Sequence, residues 1–298
     1  MELRQIQYFL AVAEELSFIR AAERLQITQP PLSRQIRQLE EELGVELFRR
    51  TKRRVELTET GRAFLEEARQ ILAQVEQAVQ VAQRASRGEI GRLVVGFEGS
   101  STYDVIPLSL KSYRERFPEV DLVVYAMTTE EQIQALLEGR IGIGFVVSPL
   151  NDRRLTIEII LREPLVLALP ENHPLAVRSM VRVRELEVEP FIMFQRNRGC
   201  GLYDQVIAVC QRAGFSPRVI QEADEMQVML GFVAAGFGIA LFSASVEKFQ
   251  RPGVVYRALQ PPTPKLSLAL AWRRDAPSAV LQAFVEVVRE CAQQRLAI

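Results

Sequence analysis

The chain contains 298 residues, a length that exceeds one ordinary hydrophobic core and predicts two or three folding units. Hydrophobic residues make up 48% and charged residues 25% of the sequence, which is typical of a globular protein and excludes a disordered or fibrous one. The formal net charge of +0 excludes a protein that is basic overall, so any positive surface for nucleic acid must be local.

Three short amphipathic helices are predicted within residues 1–44. Apolar residues recur at helical spacing at Leu3, Ile6, Phe9, Leu10 and Ala13, then at Phe18, Ala21, Ala22 and Leu25, and then at Leu32, Ile36, Leu39 and Leu43. Ser17 and Thr28 are positioned to cap the second and third helices, and Gly44 ends the third. Two short helices, a tight turn and a third helix predict a helix-turn-helix whose third helix enters the major groove of DNA.

The polar face of the third helix suits this task. It carries Gln29, Pro30, Ser33, Arg34 and Arg37. Arg34 can donate two hydrogen bonds to guanine, Gln29 can pair with adenine, and Pro30 can contact a thymine methyl group. Ser33 could bind a phosphate or a base edge. The alternative is a polar face that is merely solvated.

A basic segment between two short β-prone runs follows this helix, from Phe48 to Thr58. We interpret it as a wing whose tip, including Arg53 and Arg54, can reach phosphates or a minor groove. A basic run of this length is a weak signal alone. Its order after the three helices makes DNA binding the favoured interpretation.

The N-terminal sixty residues resemble the LysR-type transcriptional regulators of bacteria. The motifs that carry the resemblance are Met1-Glu2-Leu3-Arg4, Phe18-Ile19-Arg20-Ala21-Ala22, Gln29 to Ile36, Leu39-Glu40, Leu43-Gly44, Leu47-Phe48 and Leu57-Thr58-Glu59-Thr60-Gly61. The rest of the chain is similar to that family's layout. The resemblance implies a winged helix-turn-helix, a long linker helix and a two-lobed sensor domain of the periplasmic-binding-protein type, an α/β fold.

The linker helix is predicted over residues 59–87, after a DNA-binding domain of residues 1–58. Its apolar residues alternate steps of four and three at Phe64, Ala68, Ile71, Val75, Ala78 and Ala82. This is the seam of a coiled coil, and such a helix would be about 42 Å long. The alternative is a long helix packed on its own domain. The resemblance implies a homodimer paired through this helix and, in most members, a homotetramer.

Short strands alternate with helices in the predicted sensor domain, residues 88–298, which indicates a mostly parallel sheet. Strands are predicted at Leu93–Phe97, Leu122–Tyr125, Ile141–Val146 and Leu266–Trp272, with helices at Tyr103–Phe117, Glu130–Glu138 and Ala279–Gln294. We assign residues 91–161 and 266–298 to lobe I and residues 162–265 to lobe II.

Candidate effector residues lie where strands end and helices begin, because ligands collect at the carboxyl ends of strands in open α/β sheets. They are Ser100, Ser101, Thr129, Asn197 and Arg198. Hydroxyls and free amides at helix starts suit a carboxylate, although each could be an ordinary helix cap. The resemblance implies that these places converge in the cleft, with Ser100 and Thr129 at effector-contacting positions.

The sensor most resembles the branch of the family that responds to aromatic compounds and their ring-cleavage acids. The similarity is found at Ile141 to Phe145 and at Val233 to Ile239. The sequence departs from some members where Val146 and Val147 replace a basic residue after the third strand. A second effector site that uses that charge is therefore not expected.

Other classes of protein explain less of the sequence. An enzyme would depend on Cys200 and His173, which have no motif partners, and three cysteines with one histidine are too few for a metal cluster, so we expect neither catalysis, metal nor cofactor. A solute-binding protein leaves residues 1–58 unexplained, and an architectural DNA-binding protein needs no sensor.

With no long apolar stretch and no signal peptide, we expect a cytoplasmic protein without membrane contact.

Overall fold

The structure is a computed structural model that describes residues 1–51, 54–98, 105–196 and 200–296, with the backbone alone for Cys200 and residues 295–296. The chain folds as two compact units, Met1–Arg84 and Ala85–Ile298. No helix in the described part of the chain has the length and apolar character that crossing a bilayer requires.

The first unit is a winged helix-turn-helix followed by a long helix. Its elements are α1 (Leu3–Glu15), α2 (Phe18–Arg24), α3 (Gln29–Leu43), β1 (Phe48–Arg50), β2 (Val55–Leu57) and α4 (Glu59–Ser86). β1 and β2 form an antiparallel hairpin. Phe9 of α1 is fully buried, with its ring centroid 5.3 Å from that of Phe48 and 4.9 Å from that of Phe64, so that α1, the wing and α4 share one core.

The predicted caps of the helices are correct in one case and wrong in the other. The Ser17 hydroxyl accepts a hydrogen bond from the Arg20 amide at 3.4 Å, which caps α2 as expected. Thr28 occupies the cap position of α3, but its side chain makes no capping hydrogen bond. Pro30 is helical there because the first turn needs no amide donor. Gly44 ends α3 in the left-handed region, with φ of 70°.

The predicted seam residues lie in two different environments along the 28-residue helix α4. Its first half packs on its own unit, since Ala68 is fully buried and Phe64 and Ile71 are partly buried against the same core. Beyond this contact, apolar residues are open, and Val79 is 52% exposed. The alternative of a helix packed on its own domain therefore holds for the first half, because the periodicity that forms a coiled-coil seam also forms the face of an amphipathic helix.

The start of α4 is fixed by a close backbone approach. A Cβ atom on Gly61 would lie 2.1 Å from the Leu47 carbonyl oxygen, so no other residue fits without a shift of the chain. The Thr58 hydroxyl accepts from the Gly61 amide at 2.9 Å and donates to the Glu46 carbonyl at 2.7 Å. These contacts give the Leu-Thr-Glu-Thr-Gly motif a structural reason.

The second unit is an α/β domain. Its elements are β3 (Ile90–Phe97), α5 (Val105–Arg116), β4 (Glu119–Ala126), α6 (Thr129–Leu137), β5 (Ile143–Ser148), β6 (Leu155–Pro170), β7 (Met180–Val181), β8 (Pro190–Phe194), α7 (Cys200–Arg212), β9 (Arg218–Ala223), α8 (Met226–Ala234), β10 (Ala240–Ser243), β11 (Val254–Leu259), β12 (Lys265–Arg273) and α9 (Ala279–Leu296). Short 3₁₀ turns occur at Pro174–Val177, Val183–Leu186 and Ala244–Lys248.

The main sheet is mixed, so the prediction of a mostly parallel sheet is wrong. Its order is β4-β3-β5-β12-β6-β11-β7, with β10 also paired to β6. β3 is parallel to β4 and β5, whereas β12 is antiparallel to both β5 and β6. The cause is the 16-residue strand β6, which pairs antiparallel with β10, β11 and β12.

Two strands pass from one hydrophobic core to the other, which makes the unit two-lobed. On β6, Leu161 belongs to the core beneath α5 and α9, and Leu165 belongs to the core that contains α7 and α8. On β12, Leu268 belongs to the core beneath α5 and α9, and Leu266 belongs to the core that contains α7 and α8. The lobes are therefore joined by two neighbouring strands.

Candidate functional site

The exposed face of α3 is the candidate nucleic-acid surface of the first unit. Leu32, Ile36 and Leu39 are fully buried, and this orientation turns Gln29, Pro30, Arg34 and Arg37 to solvent with Ser33 half-buried. Within the described residues, neither Arg34 nor Arg37 forms an ion pair. Both guanidinium groups therefore keep their donors for an outside acceptor.

Arginines on α2 are held differently. Arg24 pairs with Glu14 at 2.6 Å, and Arg20 pairs with Glu15 at 3.7 Å. The hydrogen bond to Glu14 is the main reason why the pKa of Arg24 is raised. In the described part of the chain, the positive charge of α2 is thus neutralised by neighbouring carboxylates, whereas that of Arg34 and Arg37 on α3 is not.

Two of the predicted base-contacting residues are bonded to each other. The Gln29 side-chain amide donates to the Ser33 hydroxyl at 3.0 Å, one helical turn further along. The second N–H and the carbonyl oxygen of the Gln29 amide remain available for adenine. The bond to Ser33 holds the two side chains on the same face of the helix.

The arginines of the wing differ in where their side chains lie. Arg54 has a side chain that is 78% exposed and pairs with Glu56 at 2.9 Å, a surface pair of small energy that leaves it accessible. Arg50 instead turns inward, to Glu40 at 2.5 Å and to a point 4.9 Å above the Phe18 ring. Arg53 lies outside the described residues.

Glu40, which the sequence analysis named only as part of a family motif, has a structural role beside the candidate surface. One carboxylate oxygen accepts from the backbone amides of Leu47 and Phe48, each at 3.0 Å, and the other accepts from Arg50. The carboxylate therefore ties the wing to the third helix. No spacing rule distinguishes it from its exposed neighbours Glu41 and Glu42.

A groove of about 850 Å³ runs between the starts of α2 and α3 and the wing. Its polar lining is Ser17, Gln29, Thr51, Arg54, Glu56 and Arg62. Arg62 was not predicted, because it falls in the first turn of a helix that was assigned to pairing alone. The groove places a further cation beside the predicted contacts Gln29 and Arg54.

The candidate cleft of the second unit lies at the start of α6. The Thr128 hydroxyl accepts from the Glu131 amide at 3.3 Å, and the Glu131 carboxylate accepts from the Thr128 amide at 2.7 Å, a reciprocal capping box. This contact starts the helix at Thr129, one residue before the predicted start. Ser100, Ser101, Asn197 and Arg198 lie outside the described residues.

The starts of α6 and α7 meet at Val147, near the carboxyl end of β5. The Val147 amide donates to the Thr129 hydroxyl at 3.2 Å. From the other lobe, Gly201 lies so close that an added Cβ would be 2.6 Å from a Val147 methyl group. Two helix N-termini are thus directed to one end of the sheet, the kind of place where anions bind.

Thr129 is more buried than the sequence suggested. It is 2% exposed, and its hydroxyl donates to the Glu98 carboxylate at 2.5 Å. Glu98 follows β3 and is 6% exposed. Burial raises the pKa of Glu98, and the Thr129 hydroxyl opposes that shift. Sequence reasoning passed over Glu98, although a charged residue directly after a buried strand was the available signal.

Of the two residues considered for catalysis, His173 has a structural role, and the side chain of Cys200 lies outside the described part of the chain. The His173 ring accepts from the Leu175 amide at 3.2 Å, and its other nitrogen is 3.2 Å from Glu189, which agrees with the predicted structural role. Burial raises the pKa of Cys210 to about 12, so its thiol is a poor nucleophile. His173 therefore gives no support to an enzyme, and the buried thiol of Cys210, which was not a candidate, adds none.

Family models match almost the whole chain. The model described as the bacterial regulatory helix-turn-helix protein of the lysR family matches residues 3–62, and that described as the LysR substrate binding domain matches residues 86–293. The transcriptional regulator AlsR of Bacillus subtilis is 42% identical over 99% of this chain and 97% of its own length. CatR of Pseudomonas putida is 36% identical over 98% of this chain and all of its own.

Solved structures agree with these matches. The crystal structure of CbnR, described as a LysR family transcriptional regulator, has a TM-score of 0.83 at 32% identity and covers 97% of this chain and 100% of that one. Full-length CbnR complexed with its target DNA gives the same TM-score and identity over 98% of this chain.

Proposed function

The chain belongs to the LysR family of bacterial transcriptional regulators, and from this premise we propose that a small aromatic or dicarboxylic acid controls how it binds promoter DNA. Membership in the family makes it a DNA-binding regulator with an effector-binding domain and not an enzyme. The single observation that supports our proposal is the convergence of two helix starts, Thr129 of α6 and Gly201 of α7, on Val147.

We assign DNA recognition to the exposed face of α3 and to the wing. The proposed contacts are Gln29, Pro30, Ser33, Arg34 and Arg37 on the helix and Arg53 and Arg54 on the wing. The helix residues contact base edges, and the wing residues contact phosphates or the minor groove. Support comes from the exposure of the helix face and from the absence, within the described residues, of an ion pair at Arg34 and Arg37.

We assign pairing of two chains to the second half of α4, with a homodimer as the DNA-binding unit and a homotetramer as the full assembly. Val75 is half-buried, and Val79, Ala78 and Ala82 are exposed on the single chain. A two-fold dimer matches a promoter site with two related halves. We take residues 1–58, 59–87 and 88–298 as the DNA-binding, linker and effector-binding regions, acting in the cytoplasm.

We assign the effector to the cleft between the lobes, with Ser100, Ser101, Thr129, Asn197 and Arg198 as its contacts. Hydroxyls, a guanidinium group and free helix amides together suit a carboxylate. Since β6 and β12 join the lobes, a ligand between them can favour one arrangement of the lobes. It acts as a switch only if its affinity differs between arrangements.

Ser100→Ala tests this assignment on the full-length protein. We expect the variant to lose roughly ten- to 150-fold in affinity for an acid that changes promoter binding, since one hydrogen bond to a charged group contributes about 1.5–3 kcal/mol. Calorimetry against benzoate and adipate measures this change. Ser179→Ala, an exposed serine away from the cleft, is the matched control and should bind as wild type does. Equal affinity of Ser100→Ala and wild type for such an acid contradicts the assignment.

A further inference from the structure

The cleft contains a carboxylate of its own at the start of α6. Glu98 is only 6% exposed, and its carboxylate accepts a hydrogen bond from the Thr129 hydroxyl at 2.5 Å. The Thr129 backbone amide is a second donor to the same side chain. The protein thus places an acid where the proposed function places the carboxylate of an effector.

The hydrogen bonds of Thr129 decide what this hydroxyl can offer a ligand. A hydroxyl has one proton and two acceptor lone pairs. The proton goes to Glu98, and one lone pair is taken by the Val147 amide at 3.2 Å. While Glu98 is ionised, Thr129 can only accept a further hydrogen bond. A carboxylate also only accepts, so the two groups cannot bond, and the charge of Glu98 repels the ligand.

We propose that a carboxylate effector binds in this cleft together with one proton, which Glu98 takes up from solvent. This inference rests on the proposed function. Protonated Glu98 donates its O–H to the Thr129 oxygen, whose lone pairs are then filled by Glu98 and the Val147 amide. The Thr129 hydroxyl then no longer donates its hydrogen bond to Glu98. It can donate that hydrogen bond to the effector carboxylate instead. The proton offsets one negative charge of the ligand.

The surroundings of Glu98 favour uptake of a proton. Burial is the main cause that raises its pKa, and the charge of Glu130 on α6 raises it further, against the two hydrogen bonds from Thr129. The facing part of β5, from Ile143 to Val147, contributes only apolar side chains and glycine. Burial and the charge of Glu130 therefore both favour the protonated form of Glu98 when a second carboxylate arrives.

Calorimetry of the full-length protein in buffers of different ionisation enthalpy measures the protons taken up. With benzoate and adipate as probes at pH 7 and pH 8, we expect wild type to take up close to one proton per site. Affinity should then fall by up to about tenfold for each pH unit gained, the linkage of one proton. Both probes are ionised in this range, because free carboxyl groups titrate near pH 4.

Glu98→Gln provides the decisive comparison, because its amide group donates to Thr129 at any pH and carries no charge. We expect it to bind the acids with no proton uptake and about tenfold more tightly than wild type at pH 8. The control Glu115→Gln removes the same charge from the exposed face of α5 and should behave as wild type.

The outcomes separate the inference from the proposed function. If wild type binds an acid without proton uptake, the inference is wrong whether or not Glu98→Gln folds, and the proposed function stands. If Glu98→Gln still takes up a proton, another group is responsible and the inference is wrong. If neither acid binds wild type or Glu98→Gln at either pH, the acid effector of the proposed function is wrong, and the inference fails with it.

Discussion

Val75→Asp is expected to separate the paired chains and to reduce binding to a promoter site with two halves by at least about a hundredfold. Val75 is the first seam residue of α4 that lies outside the core of its own unit. In a dimer the substitution places two unpaired charges against an apolar interface, at a cost of several kcal/mol. Binding to a single half-site should change little, because α3 and the wing are untouched.

Gln80→Asp is the matched control for this prediction. Gln80 is exposed and lies five residues further along the helix, about 140° around its axis from Val75. The control adds the same charge to the solvent face and should leave the dimer intact. Sedimentation velocity measures the association, and duplexes with one or two half-sites measure its effect on DNA. Unchanged association in Val75→Asp would show that the pairing surface is elsewhere.

Arg34→Ala is expected to reduce discrimination between promoter and scrambled DNA by about 1–3 kcal/mol, or roughly five- to 150-fold. The reason is that Arg34 is exposed on the face opposite Leu32 and Ile36 and, within the described residues, makes no ion pair. A bidentate contact with guanine carries sequence information, whereas a phosphate contact does not. The loss should therefore fall mainly on the promoter duplex.

Two comparisons isolate the role of Arg34. Arg54→Ala should weaken binding to both duplexes equally. It should also make the slope of log affinity against log salt concentration shallower by about one, the value for one lost phosphate contact. Arg69→Ala removes a positive charge from the exposed surface of α4, where it pairs with Glu66, and should have a small effect. Titrations at fixed salt give all three values. Equal losses on both duplexes for Arg34→Ala would exclude a base contact.

The order and type of the main elements could be predicted from the sequence because local patterns determine them. The buried set Leu32, Ile36 and Leu39 follows directly from helical spacing, and the left-handed Gly44 ends that helix. The family and its two-part organisation are confirmed by the matches to residues 3–62 and 86–293.

Long-range contacts could not be predicted in this way. The stripe on α4 has one periodicity, yet Ala68 packs on its own unit while Val79 remains open, and only the folded chain separates the two. Glu40 and Glu98 resemble other acids in the sequence. Their roles arise from donors that are distant along the chain, such as the Leu47 amide for Glu40 and the Thr129 hydroxyl for Glu98.

Footprinting on the DNA immediately upstream of its own gene, with and without benzoate or adipate, shows whether the protein binds one specific promoter site and whether an acid controls that binding. We expect the full-length protein to protect one discrete site with two related halves, and one of the acids to change the length or spacing of the protected region. Protection of unrelated DNA to the same extent would contradict sequence-specific regulation. A discrete footprint that neither acid alters would contradict control by an acid bound between the lobes.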